Sequence, residues 1–419
     1  MSKFLIKPSE PLRGTVEISG SKNAVLPILA ACLLTSEECL IRSVPLLSDV
    51  YAMLDILREL GAEVNFNEKA GRLSIISANI NKFEENYEIA DKMRASFLVM
   101  GPLLARFGKA KLPLPGGCAI GNRPVDLHTK GFMSMGAKVK QEHGYVEVKA
   151  KKLSGANIYL DFPSVGATEN IMMAASLAEG ITTIENAACE PEVCDLADFI
   201  NKMGGKVKGA GRSKISIEGM KSLKGASHKI IPDRIEAGTF MIASAITGGD
   251  VLLKNVVLNH VNSIVSKLSE ANVSCTEENG GLRITSSGNI APINIKTMPY
   301  PGFPTDMQAP IMSLLSLAKG TSMVTETIFE NRFLHTSELK RMGADIKIDS
   351  RFAVVKGVKK LTGTQVKATD LRAGAALILS ALAAEGETEI SDIYHIERGY
   401  FDMEKKLKDL GANIEKTES

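Results

Sequence analysis

The residue with the clearest chemical potential is Cys118, at the apex of the segment KLPLPGGCAIGNRP that runs from Lys111 to Pro124. Proline and glycine at this density cannot continue a helix or a central strand, so the segment is predicted to be a loop. Most cysteines are buried packing residues, whereas glycine and small residues leave this thiol little cover. Arg123 and Lys111 place cations near it, and cations lower a thiol pKa from its free value of about 8.5. The pattern predicts a reactive thiol; a structural turn with an incidental cysteine is the alternative.

The composition of the chain argues against several classes of protein. The 419 residues include Lys+Arg 50 and Asp+Glu 48, a formal charge of +2, which does not favour a nucleic-acid-binding surface. Aromatic residues make up 5% with no Trp, so base-stacking platforms are scarce. No apolar run reaches the roughly 18 residues of a membrane helix, and the first residues lack the pattern of a signal peptide. We expect a cytoplasmic protein with reduced cysteines and neither nucleic-acid nor membrane partners.

Metal and nucleotide motifs are also missing from the sequence. Cys189 and Cys194 form a lone Cys-x4-Cys without a second pair, and no His-Glu-x-x-His occurs, so a zinc site is not expected. Neither Gly-x4-Gly-Lys-Ser/Thr nor a helix-opening Gly-x-Gly-x-x-Gly is present. These absences argue against P-loop kinases and nicotinamide-dependent enzymes.

The chain is built from a repeated unit, and each unit ends in a short motif that we call the tail. In the tail, a glycine after a helix is followed by the start of a strand. Five tails are clear and a sixth is degenerate: 60–64, 135–139, 203–207, 342–346, 410–414 and the degenerate 270–273. An amphipathic helix precedes each tail, for example 50–60, and the glycine is typical of a helix C-cap. Six copies of one unit therefore predict two similar halves with three units each.

A second helix in each unit consists almost wholly of small and apolar residues, which is typical of a helix buried on all sides. The six segments are 24–34, 96–105, 170–177, 238–246, 309–317 and 373–383. A short alternating strand precedes each one: 15–19, 87–90, 157–161, 229–232, 293–296 and 365–368. We therefore predict an α/β protein with two similar inside-out domains, each made of three repeated βαβαββ-like units with buried helices and outer sheets.

The junctions between strand and buried helix carry polar residues suited to anions. A helix N-terminus offers free N–H groups and a positive dipole end. The junction residues are Lys22 and Asn23, Arg94, Ser164 and Thr168, Arg234 and Glu236, Thr305 and Asp306, and Asp370 and Arg372. Each residue alone could be an N-cap or part of a salt bridge. Their recurrence at one point of the unit indicates a site for a multiply anionic ligand.

Several of these segments together resemble one enzyme family. They are GSKNA at 20–24, RAS at 94–96, PGGCAIG at 115–121, RPVDLH at 123–128, PTDMQ at 304–308, ENRF at 330–333 and DLR at 370–372. Along essentially the whole chain they are similar to the enolpyruvyl transferase family, in particular the UDP-N-acetylglucosamine 1-carboxyvinyltransferases. The resemblance implies a domain of residues 21–229 with the Cys118 loop, a second domain of 1–20 plus 230–419, and an active site in the cleft between them.

The implied reaction transfers the enolpyruvyl group of phosphoenolpyruvate to the 3-hydroxyl of UDP-N-acetylglucosamine by addition and elimination. It opens peptidoglycan synthesis, the assembly of the cell wall on which cell shape and division depend, and it needs no metal or organic cofactor. The implied catalytic residues are Cys118 as the acid, Asp306 at the hydroxyl proton, Lys22 and Arg398. Phosphoenolpyruvate would bind to Lys22, Asn23, Arg123 and Arg398, where cations oppose developing negative charge.

The resemblance also implies the residues that bind the nucleotide sugar. They are Asn23, Arg94, Arg123, Pro124, Val125, Asp126, Leu127, Ser164, Val165, Asp306 and Ile328, with Arg332, Asp370 and Arg372 in support. Two departures stand out, because lysines found in some relatives are absent at Leu46–Ser48 and at Phe162–Pro163. The anion contacts of those lysines cannot be transferred to this chain.

Two other functions stay open at this point. The sibling enzyme that transfers enolpyruvate to shikimate 3-phosphate shares the fold and the donor but lacks the cysteine loop. A non-catalytic paralogue would only bind the nucleotide sugar. Retention of Lys22, Cys118, Asp306 and Arg398 together argues against it, because binding alone would not require the acid.

Overall fold

The computed structural model describes residues 2–84, 94–114 and 125–418, and at Arg94 only the backbone. These residues form two compact units. The N-terminal unit contains the described residues from 20 to 231, and the C-terminal unit contains residues 2–19 and 232–418. The chain passes between the units after Ser19 and after Ile231. The expectation of an active site between the domains stays a prediction.

The N-terminal unit has three sheets. In spatial order their strands are Ser227–Lys229, Glu38–Arg42, Arg72–Ile76 and Glu63–Asn67; Lys109–Pro113, Tyr145–Lys149 and Lys138–Glu142; and Lys206–Lys208, Lys214–Glu218, Ile181–Glu185 and Asn157–Tyr159. Buried and exposed residues alternate along Ile181–Glu185 and Lys214–Glu218, so one face of this sheet packs inward and the other faces solvent. The predicted strand at 87–90 lies outside the described residues.

The C-terminal unit repeats this arrangement. Its sheets contain, in spatial order, Gln365–Lys367, Thr388–Ser391, Ser2–Ile6 and Ile414–Glu418; Ser274–Glu278, Gly281–Thr285, Asp250–Lys254 and Arg13–Glu17; and Ile295–Lys296, Thr321–Thr325, Phe352–Lys356 and Asp345–Asp349, with a small pair Leu361–Thr362 and Ala384–Glu385. In five of the sheets a short first strand pairs in parallel with the strand that opens an antiparallel ladder, as Ile295–Lys296 does with Thr321–Thr325.

Two of these short strands each pair within one unit, although the buried helix that follows each of them along the chain lies in the other unit. Arg13–Glu17 precedes the first buried helix along the chain but pairs with Asp250–Lys254 in the C-terminal unit. Ser227–Lys229 pairs instead with Glu38–Arg42 in the N-terminal unit. Each of these two strands therefore belongs to one unit, while the buried helix that follows it along the chain belongs to the other.

Six helices form the interiors of the units. They are Lys22–Ala31, Met100–Phe107 and Val165–Ala175 in the N-terminal unit, and Arg234–Thr247, Gln308–Leu315 and Leu371–Leu382 in the C-terminal unit. Every residue from Ile235 to Ile246 and from Arg372 to Leu382 is buried. The three central helices of the C-terminal unit pack against one another. The predicted fold, with helices inside and sheets outside, is confirmed.

The remaining helices of the described residues are amphipathic or short. They are Ser48–Leu60, Asp126–Ser134, Pro191–Lys202, Leu258–Glu270, Thr336–Arg341, Tyr394–Glu397 and Met403–Asp409, with 3-10 turns at Cys32–Leu34, Glu68–Ala70, Arg94–Val99 and Thr305–Met307. Leu258–Glu270 buries Val261, Ile264 and Leu268, the spacing of one helix face. Gly61 ends the helix Ser48–Leu60 with φ 109, a conformation that favours glycine, as the tail pattern predicts.

Candidate active site

The structure describes most, but not all, of the residues predicted to form the site. Cys118, Arg123 and Pro124 lie outside the described residues. Arg94 opens the 3-10 turn Arg94–Val99, without a described side chain. The roles predicted for these four residues stay predictions, and the geometry below concerns the others.

The five described cysteines are free thiols, and none of these five is both exposed and acidic. Burial raises the pKa of Cys194 to about 11 and that of Cys275 to about 11. Burial also raises the pKa of Cys32 and of Cys189. A hydrogen bond from Cys32 lowers the pKa of Cys39, but that side chain is fully buried. Reactive thiol chemistry is therefore not expected at these five positions.

Lys22 is the first residue of a central helix, whose N-cap is Ser21. The Ser21 hydroxyl accepts a hydrogen bond from the N–H of Ala24 at 3.3 Å, which fixes the start of the helix. Lys22 Nζ lies 2.7 Å from Asp49 Oδ2, and both side chains are largely buried. Asp49 directly follows Leu46–Ser48, where the chain lacks the lysine of some relatives. This pair holds the ammonium group in place and was not anticipated from the sequence.

Asn170 ties together the three segments of the N-terminal unit that carry the predicted nucleotide-sugar residues. Its side-chain amide donates to the carbonyl of Phe97 at 2.9 Å, within the 3-10 turn Arg94–Val99. The same amide lies 3.1 Å from Nδ1 of His128, in the helix that begins after Val125. Asn170 itself belongs to the helix capped by Ser164. The segments with Arg94, with Val125–Leu127 and with Ser164–Val165 therefore share one buried hydrogen-bond centre.

The carboxylate of Asp306 is held between two arginines of the C-terminal unit. Asp306 lies in the 3-10 turn Thr305–Met307 that leads into a central helix. Its Oδ1 accepts from Nη2 of Arg332 at 2.9 Å, and its Oδ2 accepts from Nη2 of Arg372 at 2.8 Å. The arginine side chains are 3% and 5% exposed, whereas the Asp306 side chain is 27% exposed. Solvent therefore reaches the carboxylate while its two partners are buried.

The two guanidinium groups retain further donors. Arg332 Nε and Arg372 Nε and Nη1 are buried and have no acceptor among the described residues. Burial lowers the pKa of Arg372, but the charges of Asp306, Tyr400 and Asp233 together with the hydrogen bond to Asp306 outweigh it, and the pKa is raised above its ordinary value. His335 lies 3.1 Å from the carbonyl of Arg332 through Nδ1, and burial lowers its pKa to about 4. Asp306 neutralises only one of the two permanent positive charges of the arginines, so the cluster suits a second carboxylate.

Asp370 and Arg398 lie in the same unit. Asp370 caps the helix Leu371–Leu382 by accepting from the N–H groups of Arg372 and Ala373 at 2.9 and 3.1 Å. Arg398 directly follows the short helix Tyr394–Glu397 and is half-buried. Burial, followed by the positive charge of Arg398, lowers the pKa of His395, while Asp370 acts in the opposite direction. Asp370, His395 and Arg398 are therefore close enough to interact electrostatically.

Several residues of the site were missed because their role depends on distant parts of the chain. Asp49, Asn170 and His335 each hold a predicted site element in place. Glu169, next to Asn170, is buried, and burial followed by the charges of Glu192 and Glu190 raises its pKa well above the ordinary value. The one available signal was polar residues inside an otherwise apolar helix, 165–175, of which the sequence prediction included only the part from Asn170 onward.

The described residues contain neither a metal-binding cluster nor a membrane-spanning helix. No group of three or more His, Cys, Asp and Glu side chains in that part of the chain is arranged to hold a metal ion. None of the helices formed by those residues is long and apolar enough to cross a bilayer.

Comparison with known proteins identifies the family. The family profile described as EPSP synthase (3-phosphoshikimate 1-carboxyvinyltransferase) matches residues 6–407. A UDP-N-acetylglucosamine 1-carboxyvinyltransferase 1 of Caldanaerobacter subterraneus subsp. tengcongensis is 60% identical over 413 residues, 99% of each chain. A UDP-N-acetylglucosamine 1-carboxyvinyltransferase 2 of Carboxydothermus hydrogenoformans is 56% identical over 418 residues, again 99% of each chain.

Solved structures show the same fold at low identity. The enolpyruvyl transferase NikO from Streptomyces tendae has a TM-score of 0.89 with 23% identity and 99% coverage of each chain. The EPSP synthase from Acinetobacter baumannii has a TM-score of 0.77 with 21% identity and 100% coverage of each. The chain therefore belongs to the EPSP synthase family of enolpyruvyl transferases, and within it to the UDP-N-acetylglucosamine 1-carboxyvinyltransferases.

Proposed function

We propose that this chain, as a member of that family, transfers the enolpyruvyl group of phosphoenolpyruvate to the 3-hydroxyl of UDP-N-acetylglucosamine and releases phosphate. The reaction is the first committed step of peptidoglycan synthesis. The geometric observation that carries the proposal is the partly exposed carboxylate of Asp306 between two arginines, of whose two positive charges it neutralises only one. A proton acceptor, Asp306, therefore lies within one hydrogen bond of groups that can bind a carboxylate. The reaction requires this arrangement, because an alcohol must lose a proton beside the carboxylate of phosphoenolpyruvate.

In the addition step, the oxygen of the 3-hydroxyl bonds to C2 of phosphoenolpyruvate and its proton passes to Asp306. Cys118 delivers a proton to C3, which becomes a methyl group. In the elimination step, the C2–O bond to phosphate breaks and the Cys118 thiolate takes a proton back from C3, which regenerates the double bond. The departing phosphate takes the proton from Asp306, so both groups return to their starting states. Asp306 is suited to the first transfer because Arg332 and Arg372 fix the positions of both its oxygens.

The anionic groups of phosphoenolpyruvate require cations. We assign its carboxylate to Arg332 and Arg372, because a guanidinium binds a carboxylate through paired N–H donors and the single charge of Asp306 neutralises only one of these two cations. We assign its phosphate to Lys22, Arg123 and Arg398, with Asn23 beside them. Preorganised charges of this kind stabilise the negative charge that develops on the leaving phosphate.

The nucleotide sugar is assigned mainly to the N-terminal unit. Its proposed contacts there are Asn23, Arg94, Arg123–Leu127 and Ser164–Val165, with Asp306 and Ile328 of the C-terminal unit. The support is the hydrogen-bond centre at Asn170, which fixes the turn at Arg94 relative to two helix starts. We also propose a cytoplasmic location, which the free thiols of the described cysteines support.

A phosphate-release assay tests the function directly. Purified protein with phosphoenolpyruvate should release phosphate when UDP-N-acetylglucosamine is added, and mass spectrometry should detect the enolpyruvyl ether of the nucleotide sugar. Shikimate 3-phosphate in place of the nucleotide sugar should give no release above background. Release with shikimate 3-phosphate alone would instead establish the sibling activity. No release with either acceptor would leave a protein that only binds nucleotide sugars.

A further inference from the structure

Glu326 is a fully buried carboxylate that follows the strand Thr321–Thr325 in the C-terminal unit. Its Oε1 accepts hydrogen bonds from the backbone N–H groups of Ile328 and Phe329 at 2.7 and 3.2 Å, and from the hydroxyl of Thr297 at 2.9 Å. Its Oε2 accepts from the hydroxyl of Thr305 at 2.9 Å. These donors are neutral groups, so the carboxylate acts here as a hydrogen-bond acceptor.

The donors belong to two elements of the proposed active site. Thr305 opens the 3-10 turn in which Asp306 is the next residue. Ile328 and Phe329 begin the loop that continues to Arg332, and Nη2 of Arg332 bonds to Asp306. A single side chain therefore holds both the turn that carries the carboxylate and the loop that carries its arginine partner.

Hydrogen bonds to Arg351 and Thr297 hold the backbone at Glu326 and Thr327 in place. The N–H of Glu326 donates to the carbonyl of Arg351 at 2.9 Å. The N–H of Thr327 donates to the hydroxyl of Thr297 at 2.9 Å, and the Thr327 hydroxyl donates back to the Thr297 carbonyl at 2.6 Å. The backbone that carries the Glu326 carboxylate is thus held by Arg351 and by Thr297. A residue can position others only when it is itself held in place.

We propose that Glu326 is a positioning residue for the transfer reaction: one end sets the position of Asp306, and the other sets the loop that contacts the nucleotide sugar at Ile328. This proposal rests on the proposed function in the roles given to Asp306 and Ile328. A displacement of about 1 Å at a reacting group costs on the order of 10²-fold in rate. Loss of the Oε2 end should therefore lower kcat, and loss of the Oε1 end should raise KM for the nucleotide sugar.

Three substitutions separate the two ends. Thr305→Val removes only the hydroxyl that bonds to Oε2, so we expect kcat to fall about 10-fold with KM for UDP-N-acetylglucosamine within about twofold. Glu326→Ala removes both ends, so kcat should fall about 100-fold and KM should rise. Glu326→Gln keeps an acceptor for the two backbone N–H groups, and its amide can donate to the Thr305 oxygen. This conservative variant should restore kcat to within a few-fold of wild type.

The matched control is Glu385→Gln, the same chemical change at an exposed residue paired with Lys360 at 2.6 Å, which should leave kcat and KM unchanged. Rates are expressed per folded enzyme, measured by the thermal unfolding amplitude, so that a loss of folded protein is not counted as a loss of turnover. Normal kcat and KM per folded enzyme in both Glu326→Ala and Thr305→Val would overturn the proposal. An equal loss of kcat in Glu326→Gln and Glu326→Ala would overturn it as well.

A readout without turnover separates this proposal from the function on which it rests. Hydrogen exchange at the amides of Ile328 and Phe329 in the resting protein should be faster in Glu326→Ala than in wild type and unchanged in Thr305→Val. A wild-type protein without phosphate release would refute the proposed function and the catalytic part of this inference. Unchanged exchange in Glu326→Ala would refute the positioning itself, even in an active enzyme.

Discussion

Replacement of Asp306 by asparagine tests the central part of the proposed site. The amide keeps the shape of the carboxylate and one oxygen that accepts a hydrogen bond. It removes the negative charge and presents N–H groups to one of the two guanidinium groups, now 2.8–2.9 Å away. The substitution therefore removes the proton acceptor and at the same time leaves two buried cations without their counter-charge.

The expected sizes of the two effects differ. Loss of a general base lowers turnover by about 10²–10⁴-fold. Breaking a buried ion pair costs about 3–5 kcal/mol, and the 27% exposure of Asp306 favours the lower end because solvent screens the charge. A loss of about 3 kcal/mol in a unit of this size corresponds to a fall in Tm of about 6–12 °C. The KM for phosphoenolpyruvate should fall, because its carboxylate becomes the only counter-charge for both arginines.

The assay is phosphate release at saturating nucleotide sugar with varied phosphoenolpyruvate, on protein checked for Tm. Asp345→Asn is the matched control, since this aspartate is exposed on a strand of the same unit and should behave as wild type. Turnover of the Asp306→Asn variant within about threefold of wild type would refute the role of Asp306 as a base. A raised KM for phosphoenolpyruvate with normal kcat would show instead that Asp306 only orders the two arginines.

Three further predictions concern other parts of the chain. The epoxide fosfomycin should label Cys118 and not Cys194 or Cys275, whose pKa values are raised to about 11. Cys118→Ser should lose turnover, whereas Cys118→Asp should keep part of its turnover without being labelled. A mass-mapped adduct on another residue would contradict the assignment. Burial lowers the pKa of His335 from 6.5 to about 4, so the folded protein resists protonation of this side chain; the free energy of unfolding should therefore fall by about 3 kcal/mol as the pH drops from 6.5 to 4. In urea unfolding, His335→Asn should lose correspondingly less stability over this pH range. An identical pH profile in the variant would refute the reasoning. In Gly101→Ala the new Cβ would lie 2.3 Å from the Asn170 carbonyl oxygen, so the free energy of unfolding in urea should fall by about 1–3 kcal/mol, whereas unchanged stability would show that the two helices can separate at no cost.

The fold could be predicted largely from the sequence because burial on all sides leaves a clear pattern. Segments such as 238–246 and 373–383 contain no charged residue. The first lies within an observed central helix, and the second does so except for Ala383, the C-cap. The starts of these helices were predicted too late. The helix Val165–Ala175 was expected from Asn170, because its first turns contain Thr168 and Glu169, polar residues that are buried by contacts with distant segments. An apolar pattern cannot identify a buried polar residue whose partner lies elsewhere in the chain.

The same limit applies to the candidate site, where the sequence indicates the charged residues but not their pairing. Counted singly, Lys22, Arg332 and Arg372 are three cations for an anionic ligand. In the structure, Asp49 neutralises Lys22, and Asp306 neutralises one of the two arginines. The cluster of Asp306, Arg332 and Arg372 thus keeps one formal positive charge, which matches one carboxylate. Phosphate binding must then depend on cations other than these two arginines, so Arg398 and Arg123 carry more of that task than a count of lysines and arginines suggests.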